Sequence, residues 1–199
     1  MEYTPDDSQL MLLTGNPSYL IMVSSMNTID KIYKFGTLSD DDAYGGTNLV
    51  YLSSSEMYLG IALQSGTNSP YLMKLDSTTD TLTWSNKIEV TVTASTKSQL
   101  YNSCVVGGYL YSWMFYEFTS TEYQFMTQVQ TSDGDLTAQT AMDTTGGKHF
   151  RMDSNFCEDQ AGTHHVYFFG TERNGNSETD ISDMSLVHVS AVGTALTVQ

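Results

Sequence analysis

Cys104 and Cys157 are the only cysteines in a chain of 199 residues. Each lies two residues after an asparagine, Asn102 and Asn155, at what read as equivalent positions in adjacent repeats. Two thiols permit one disulfide in an oxidising compartment, and equally permit a buried free pair, since free cysteine is among the most buried residue types. Neither thiol sits in the CxxC spacing of a zinc or redox motif. Asp40-Asp41-Asp42 precedes Ala43-Tyr44-Gly45-Gly46. Three carboxylates beside a Gly-rich turn offer oxygen ligands to a hard cation such as Ca²⁺, although the spacing is not that of an EF-hand, and a solvated loop accounts for them as well. Asp133-Gly134-Asp135 and Asn174-Gly175-Asn176 read as turn chemistry. Of His149, His164, His165 and His188 only His164 and His165 are adjacent, and neighbours on a strand point to opposite faces. No metal site, no catalytic residue and no cofactor is expected, because no Ser-His-Asp or Cys-His constellation is set out by spacing.

Tyr109, Tyr111, Trp113, Phe115, Tyr116 and Phe118 form the richest aromatic run. Strand alternation places Tyr109, Tyr111, Trp113 and Phe115 on one face and Leu110, Ser112, Met114 and Tyr116 on the other. Core on both faces is the expectation; an exposed face would instead stack on sugars or pack on a partner.

The elements that must position these residues are strands. Hydrophobic residues make up 40% and aromatics 12%, enough for a folded core. Thr, Ser, Tyr and Gly are abundant, and Pro numbers only 3, which suits strands joined by turns. The formal net charge of −15 lacks the basic footprint that nucleic acid requires and opposes an anionic membrane surface. No apolar run is long enough to span a bilayer, so no membrane insertion is expected. The acidic start, Met1 to Asp7, is not a secretory signal.

Four segments repeat: Ser18 to Val23, Pro70 to Leu75, Gln124 to Val129 and Met184 to Val189. Each alternates with period two, with one face carrying Tyr19, Ile21 and Val23 in the first copy and Ser185, Val187 and Val189 in the last. A polar turn follows each, then an apolar residue seven positions after the strand anchor: Leu82 after Leu75, Leu136 after Val129, Leu196 after Val189, with Ile29 after Val23 one position closer. Asn48, Asn102 and Asn155 open three further segments at intervals of 54 and 53 residues. Another strand lies between: Gln9 to Leu13, Tyr58 to Leu63, Tyr109 to Phe118 and His165 to Phe169. About four strands per repeat in a meander make the unit of a propeller blade.

The stretch from Tyr71 to Ser85, with Leu75-Asp76, a turn, then Leu82 and Trp84, resembles the blade signature of β-propeller repeat families. Those are the repeats of large extracellular or surface proteins and, more distantly, quinoprotein-like repeats. Trp84 has Ala138 and Val198 at its equivalent positions. The resemblance implies a fold, and no functional residue is carried over from it.

The sequence thus predicts an all-β, β-propeller-type array of about four four-stranded antiparallel blades. The blades fall near 1–40, 41–94, 95–146 and 147–199 of one repeat domain. The first is expected to be incomplete, lacking its innermost strand. Either the array is a segment of a larger propeller, or another copy supplies the missing pairing. Unpaired strand edges are templates for a further strand, which makes Leu10, Leu12, Leu196 and Val198 the candidate interface. The expected role is a non-enzymatic structural or protein-interaction module, extracellular or at the cell surface, in an assembly such as a filament. Its partners would be other proteins or copies of itself. A glycan- or ligand-binding propeller and a quinoprotein-like enzyme are the alternatives.

Overall fold

The computed structural model describes residues 2–3, 9–14, 19–24, 28–34, 43–63, 69–87, 97–118, 121–142, 148–174 and 181–199. Asp40 to Asp42 and Gly175-Asn176 lie outside these residues. Among the described residues every regular element is a strand. No helix there is long and apolar enough to cross a membrane.

Among the described residues sixteen strands form four antiparallel meanders. The first sheet is β1 (Glu2–Tyr3), β2 (Gln9–Thr14), β3 (Tyr19–Ser24) and β4 (Thr28–Lys34); the second is β5 (Ala43–Ser53), β6 (Glu56–Leu63), β7 (Ser69–Asp76) and β8 (Thr81–Lys87). The third is β9 (Lys97–Val106), β10 (Tyr109–Phe118), β11 (Thr121–Gln130) and β12 (Leu136–Ala141); the fourth is β13 (Lys148–Gln160), β14 (Thr163–Asn174), β15 (Ile181–Val192) and β16 (Ala195–Val198). The first two sheets make one compact unit, Met1–Gln99, and the last two another, Leu100–Gln199.

The first sheet is not missing a strand, contrary to the sequence reading. Glu2 and Tyr3 pair with Met11 and Leu10. Two residues carry no alternation, so sequence patterning cannot register them. The backbone of Leu10 therefore lies between Tyr3 and Val23, while Leu12 pairs with Ile21.

The repeat extends to its irregularities. A bulge falls at Met22/Val23, at Lys74/Leu75 and at Gln128/Val129, which are the same position in three sheets. Past it, Val23 pairs with Ile29, Leu75 with Leu82 and Val129 with Leu136, the pairs that the apolar spacing picks out. The fourth sheet departs from this. There β15 runs on to Val192, a two-residue turn follows with Gly193 at φ 58°, and Leu196 lies opposite Ala191 rather than Val189. Glycine suits that left-handed turn position. In the second sheet Asp76 makes the turn: its carboxylate accepts from the Thr78 amide at 2.8 Å and hydroxyl at 2.5 Å. The Thr78 hydroxyl bond, ahead of the Thr78 and Thr79 amides, holds that carboxyl below its usual range.

Both units pack sheet on sheet in one way. In the first, Leu20 and Met22 of β3 meet Met57, Leu59, Met73 and Leu75 of the second sheet. In the second, Tyr111, Trp113 and Met126 of the third sheet meet Val166, Phe168, Val189 and Ala191 of the fourth. The face with Leu20 or Met126 is here termed the front of its sheet, and the face with Leu75 or Val189 the back. Each contact is therefore front to back.

Gly170 lies where β14 crosses a bulge in β13 at Met152/Ser154. A Cβ there would stand 1.9 Å from the Arg151 carbonyl oxygen and 2.8 Å from Met152 Cα, both backbone atoms. Backbone cannot swing aside as a side chain can, so Gly170→Ala should cost about 1–3 kcal/mol. A shift of the urea midpoint with an unchanged slope would report it; an unchanged midpoint would show that β13 yields at the bulge.

Candidate functional site

The side chains with chemical potential converge where the third sheet's front meets the fourth sheet's back. Tyr111, fully buried on β10, shares a hydrogen bond of 2.7 Å between its hydroxyl and His164 Nδ1. The same hydroxyl accepts from Gln128 Nε2 at 2.8 Å. Gln128 also donates to the Gly193 carbonyl at 2.9 Å and accepts from Thr137 Oγ1 at 2.8 Å. Both ends of this buried amide are thus paired, as burial of an amide demands. Burial pushes the Tyr111 phenol up to about 12, against the lowering effect of the Gln128 bond. The His164 ring fits over Gly107, whose φ is +60° and where a Cβ would lie 2.0 Å from His164 Nε2.

Gln124 bridges the sheets in a second place. Its amide donates to the Phe150 carbonyl at 3.0 Å and accepts from the Phe150 amide at 3.3 Å, standing in for a strand neighbour along β13. Asn155 makes a third bridge, donating to Asn102 Oδ1 at 2.7 Å and to the Ser103 carbonyl at 2.6 Å. Two of the three asparagines of the sequence repeat, Asn102 and Asn155, therefore touch one another.

Cys104 and Cys157 meet in the same seam. Cys157 pairs with Val166, on the back of the fourth sheet, whereas Cys104 packs with Tyr111 on the front of the third. Thiols at strictly equivalent positions would occupy the same face of successive sheets. The hairpin turns at Gly107-Gly108 and Ala161-Gly162 stand 54 residues apart and the cysteines 53, and that one-residue difference turns the two thiols toward each other. Both are free thiols. The hydrogen bond between the two thiols, and then burial, push the Cys104 thiol far up, while the same bond holds Cys157 below its usual range. Cys157 Sγ also lies 3.4 Å from the Val105 carbonyl.

Trp113 is fully buried between Phe150 and Phe168, with ring centroids at 6.2 and 5.2 Å. The residues from Leu110 to Met114 are buried on both faces, so Trp113 offers no exposed platform for a ligand. Asp133-Gly134-Asp135 is a turn, with the Asp135 amide donating to Asp133 Oδ1 at 3.0 Å. Among the described residues no three His, Cys, Asp or Glu side chains converge to hold a metal ion. Leu196 packs against the core between the third and fourth sheets, while Val198, opposite Val189, is more exposed.

The first unit has its own clamp. Lys31 of β4 reaches the Asp80 carboxylate at 2.6 Å and the Ser77 carbonyl in the β7–β8 turn, and Tyr33 donates to the same carboxylate at 2.6 Å. Hydrogen bonds from Lys31 and then Tyr33 hold Asp80 below its usual range. In both units, then, a polar side chain of the earlier sheet grips the turn between the third and fourth strands of the later one.

A feature absent from the sequence reading is the exposed front of the fourth sheet. Phe156, Tyr167 and His188 stand in one row across β13, β14 and β15. Tyr167 stacks on His188 at 4.5 Å and on Phe156 at 6.1 Å. His165 Nδ1 lies 2.9 Å from His188 Nε2, and His188 Nδ1 lies 2.9 Å from Gln199 Oε1. The period-two pattern of β14 carries this row, but periodicity alone does not say which face a neighbour covers.

No protein-family model matches the chain, and no curated protein matches it. Solved structures do. A quinohemoprotein alcohol dehydrogenase of Pseudomonas putida HK5 superposes over 96% of this chain and 32% of its own, with 11% identity and a TM-score of 0.56. A neuraminidase-like protein from A/bat/Guatemala matches over 92% of this chain and 43% of its own, with 9% identity and a TM-score of 0.51. A subtype N10 neuraminidase-like protein of A/little yellow-shouldered bat/Guatemala matches over 91% and 50%, with 9% identity and a TM-score of 0.50. The chain spans between about a third and a half of the length of these structures. The fold is of the propeller type, distantly related to both neuraminidase-like and quinoprotein-like chains. At these identities the likeness concerns the fold alone.

Proposed function

We propose that this chain is a non-enzymatic propeller-type module with a structural or protein-interaction role in an extracellular or cell-surface assembly such as a filament. The observation that carries this reading is where its polar side chains go. Tyr111, His164, Gln128, Gln124, Asn102, Asn155, Lys31 and Asp80 each bridge one sheet to the next. Hydrogen bonds of this kind fix the registry of stacked sheets. A Lys-poor, Thr- and Tyr-rich composition supports the surface setting, and in such a setting the Cys104–Cys157 pair closes to a disulfide.

Electron microscopy and sedimentation velocity over a wide concentration range test the reading. Higher-order particles should grow with concentration. They should also grow with added salt, because screening weakens repulsion between copies that each carry a net charge of −15. A single monomeric species under all conditions would overturn it.

A further inference from the structure

The segments that repeat along the sequence place Leu20, Leu72, Met126 and Leu186 at one equivalent position on the front of successive sheets. The first three are buried to within 1% of full burial, and Leu186 is 57% exposed. The neighbouring positions behave alike. Gln124 and Met126 of the third sheet are buried under the fourth, whereas their counterparts Met184 and Leu186 are 85% and 57% exposed. Trp113 is covered, whereas Phe156 and Phe169, on the fourth sheet's front, are 54% and 43% exposed. The fourth sheet thus presents, uncovered, the same kind of face that the first and third bury against a neighbour. The opposite condition holds on the first sheet. Its back carries Ile21, Val23 and Ile32, with Ile21 opposite Ile32, and Ile32 is 57% exposed. Register sets Leu12 and Leu10 opposite Ile21 and Val23.

We infer that the front of the fourth sheet, centred on Tyr167 and Leu186, receives the back of the first sheet, centred on Ile21 and Ile32, of a second copy of this chain. The inference rests on the assembly reading above and names its contact. It continues, between molecules, the front-to-back packing already made twice within each molecule. Contiguous exposed apolar faces mark interaction sites, and large aromatic and aliphatic anchors supply most of the affinity. The two faces differ, so the contact is heterologous. Repeated, it closes a ring or runs on as a filament. It also differs from pairing at strand edges, because the association is made by side chains of two sheet faces and leaves the β16 ladder unextended.

Two charge substitutions at exposed positions test it, Leu186→Asp and Ile32→Asp, with amide exchange of β14, β15 and β3 confirming that each variant keeps its fold. Sedimentation of the unmodified chain should show assembly, and each variant alone should associate at least about tenfold more weakly. An equimolar mixture should form a one-to-one dimer and stop there. The Ile32→Asp copy retains a sound fourth sheet, and the Leu186→Asp copy a sound first sheet. If both folded variants assemble as the unmodified chain does, the contact is elsewhere and the assembly reading survives. If Ile32→Asp alone still assembles, the contact is not head to tail and the inference fails. An unmodified chain that stays monomeric overturns the inference together with the assembly reading, and leaves the face to a different protein or to a glycan.

Discussion

Replacing Trp113 with alanine should destabilise the second unit by about 3–5 kcal/mol, the range for removing a large aromatic from a packed core. Trp113 has no exposed surface and is gripped edge-on by Phe150 and Phe168. Its neighbours Met126, Met152, Val166 and Val189 are likewise buried, each belonging to a strand held by a hydrogen-bonded ladder, so the seam collapses only partly around the void. Trp113 Nε1 is buried and has no partner. Trp113→Phe discards that unpaired donor and keeps the edge-to-face contacts, so it should cost well under half of what alanine costs. Urea unfolding of the two variants, followed by far-ultraviolet circular dichroism, compares them. Equal losses would mean that ring volume is not what holds the third and fourth sheets together. A loss below about 1 kcal/mol for alanine would mean that the seam refills.

Much of this architecture is legible in the sequence because strand alternation is local. Tyr19 to Val23 or Gln124 to Val129 announces a strand whatever packs on it, and the polar turn after each strand announces the hairpin. The Leu75–Leu82 and Val129–Leu136 spacings read correctly as cross-strand pairs because a bulge recurs at the same place. The same spacing fails for Leu196, since Gly193 closes a tighter turn and shifts the register. Trp84 and Ala138 do occupy equivalent positions, opposite Lys74 and Gln128. Val198 does not, because it faces Val189.

The site was less legible, for a reason of geometry. Alternation sorts residues into two faces but does not say which face a neighbouring sheet covers. Leu20 and Met22 lie off the face that the alternation singled out, yet they form the core against the second sheet. Likewise nothing in the spacing of Tyr111, Gln128 and His164 announces one hydrogen-bonded chain, since 53 residues separate Tyr111 from His164 and a sheet-to-sheet contact brings them together. Glutamines with strand-like spacing, Gln124 and Gln128, were the available signal. A buried β-strand admits an amide only where both its ends find partners.

Oxidation should join Cys104 to Cys157 and stabilise the second unit by up to about 4 kcal/mol, the chain-entropy value for a loop of roughly fifty residues. The geometry assigns the order of events. Cys157, the more exposed of the two thiols, meets a small-molecule disulfide first and attacks it, releasing one thiolate and forming a mixed disulfide. Cys104 then gives up its proton and attacks the Cys157 sulfur, and a second small thiol leaves. Two protein thiols are oxidised and one small disulfide is reduced to two thiols, so atoms and electrons balance. Burial of Cys104 makes this second step the slow one. Once formed, the bond ties β9 to β13 directly, across the seam that Asn102 and Asn155 already bridge. Peptide mapping under non-reducing conditions, with urea unfolding before and after oxidation, should show the cross-link and a raised midpoint. Cys157→Ser should abolish both. If both thiols remain open to alkylation in the unfolded, oxidant-treated chain, the seam holds them as a buried thiol pair, and its strength comes from Trp113, Gln128 and the asparagine bridge alone.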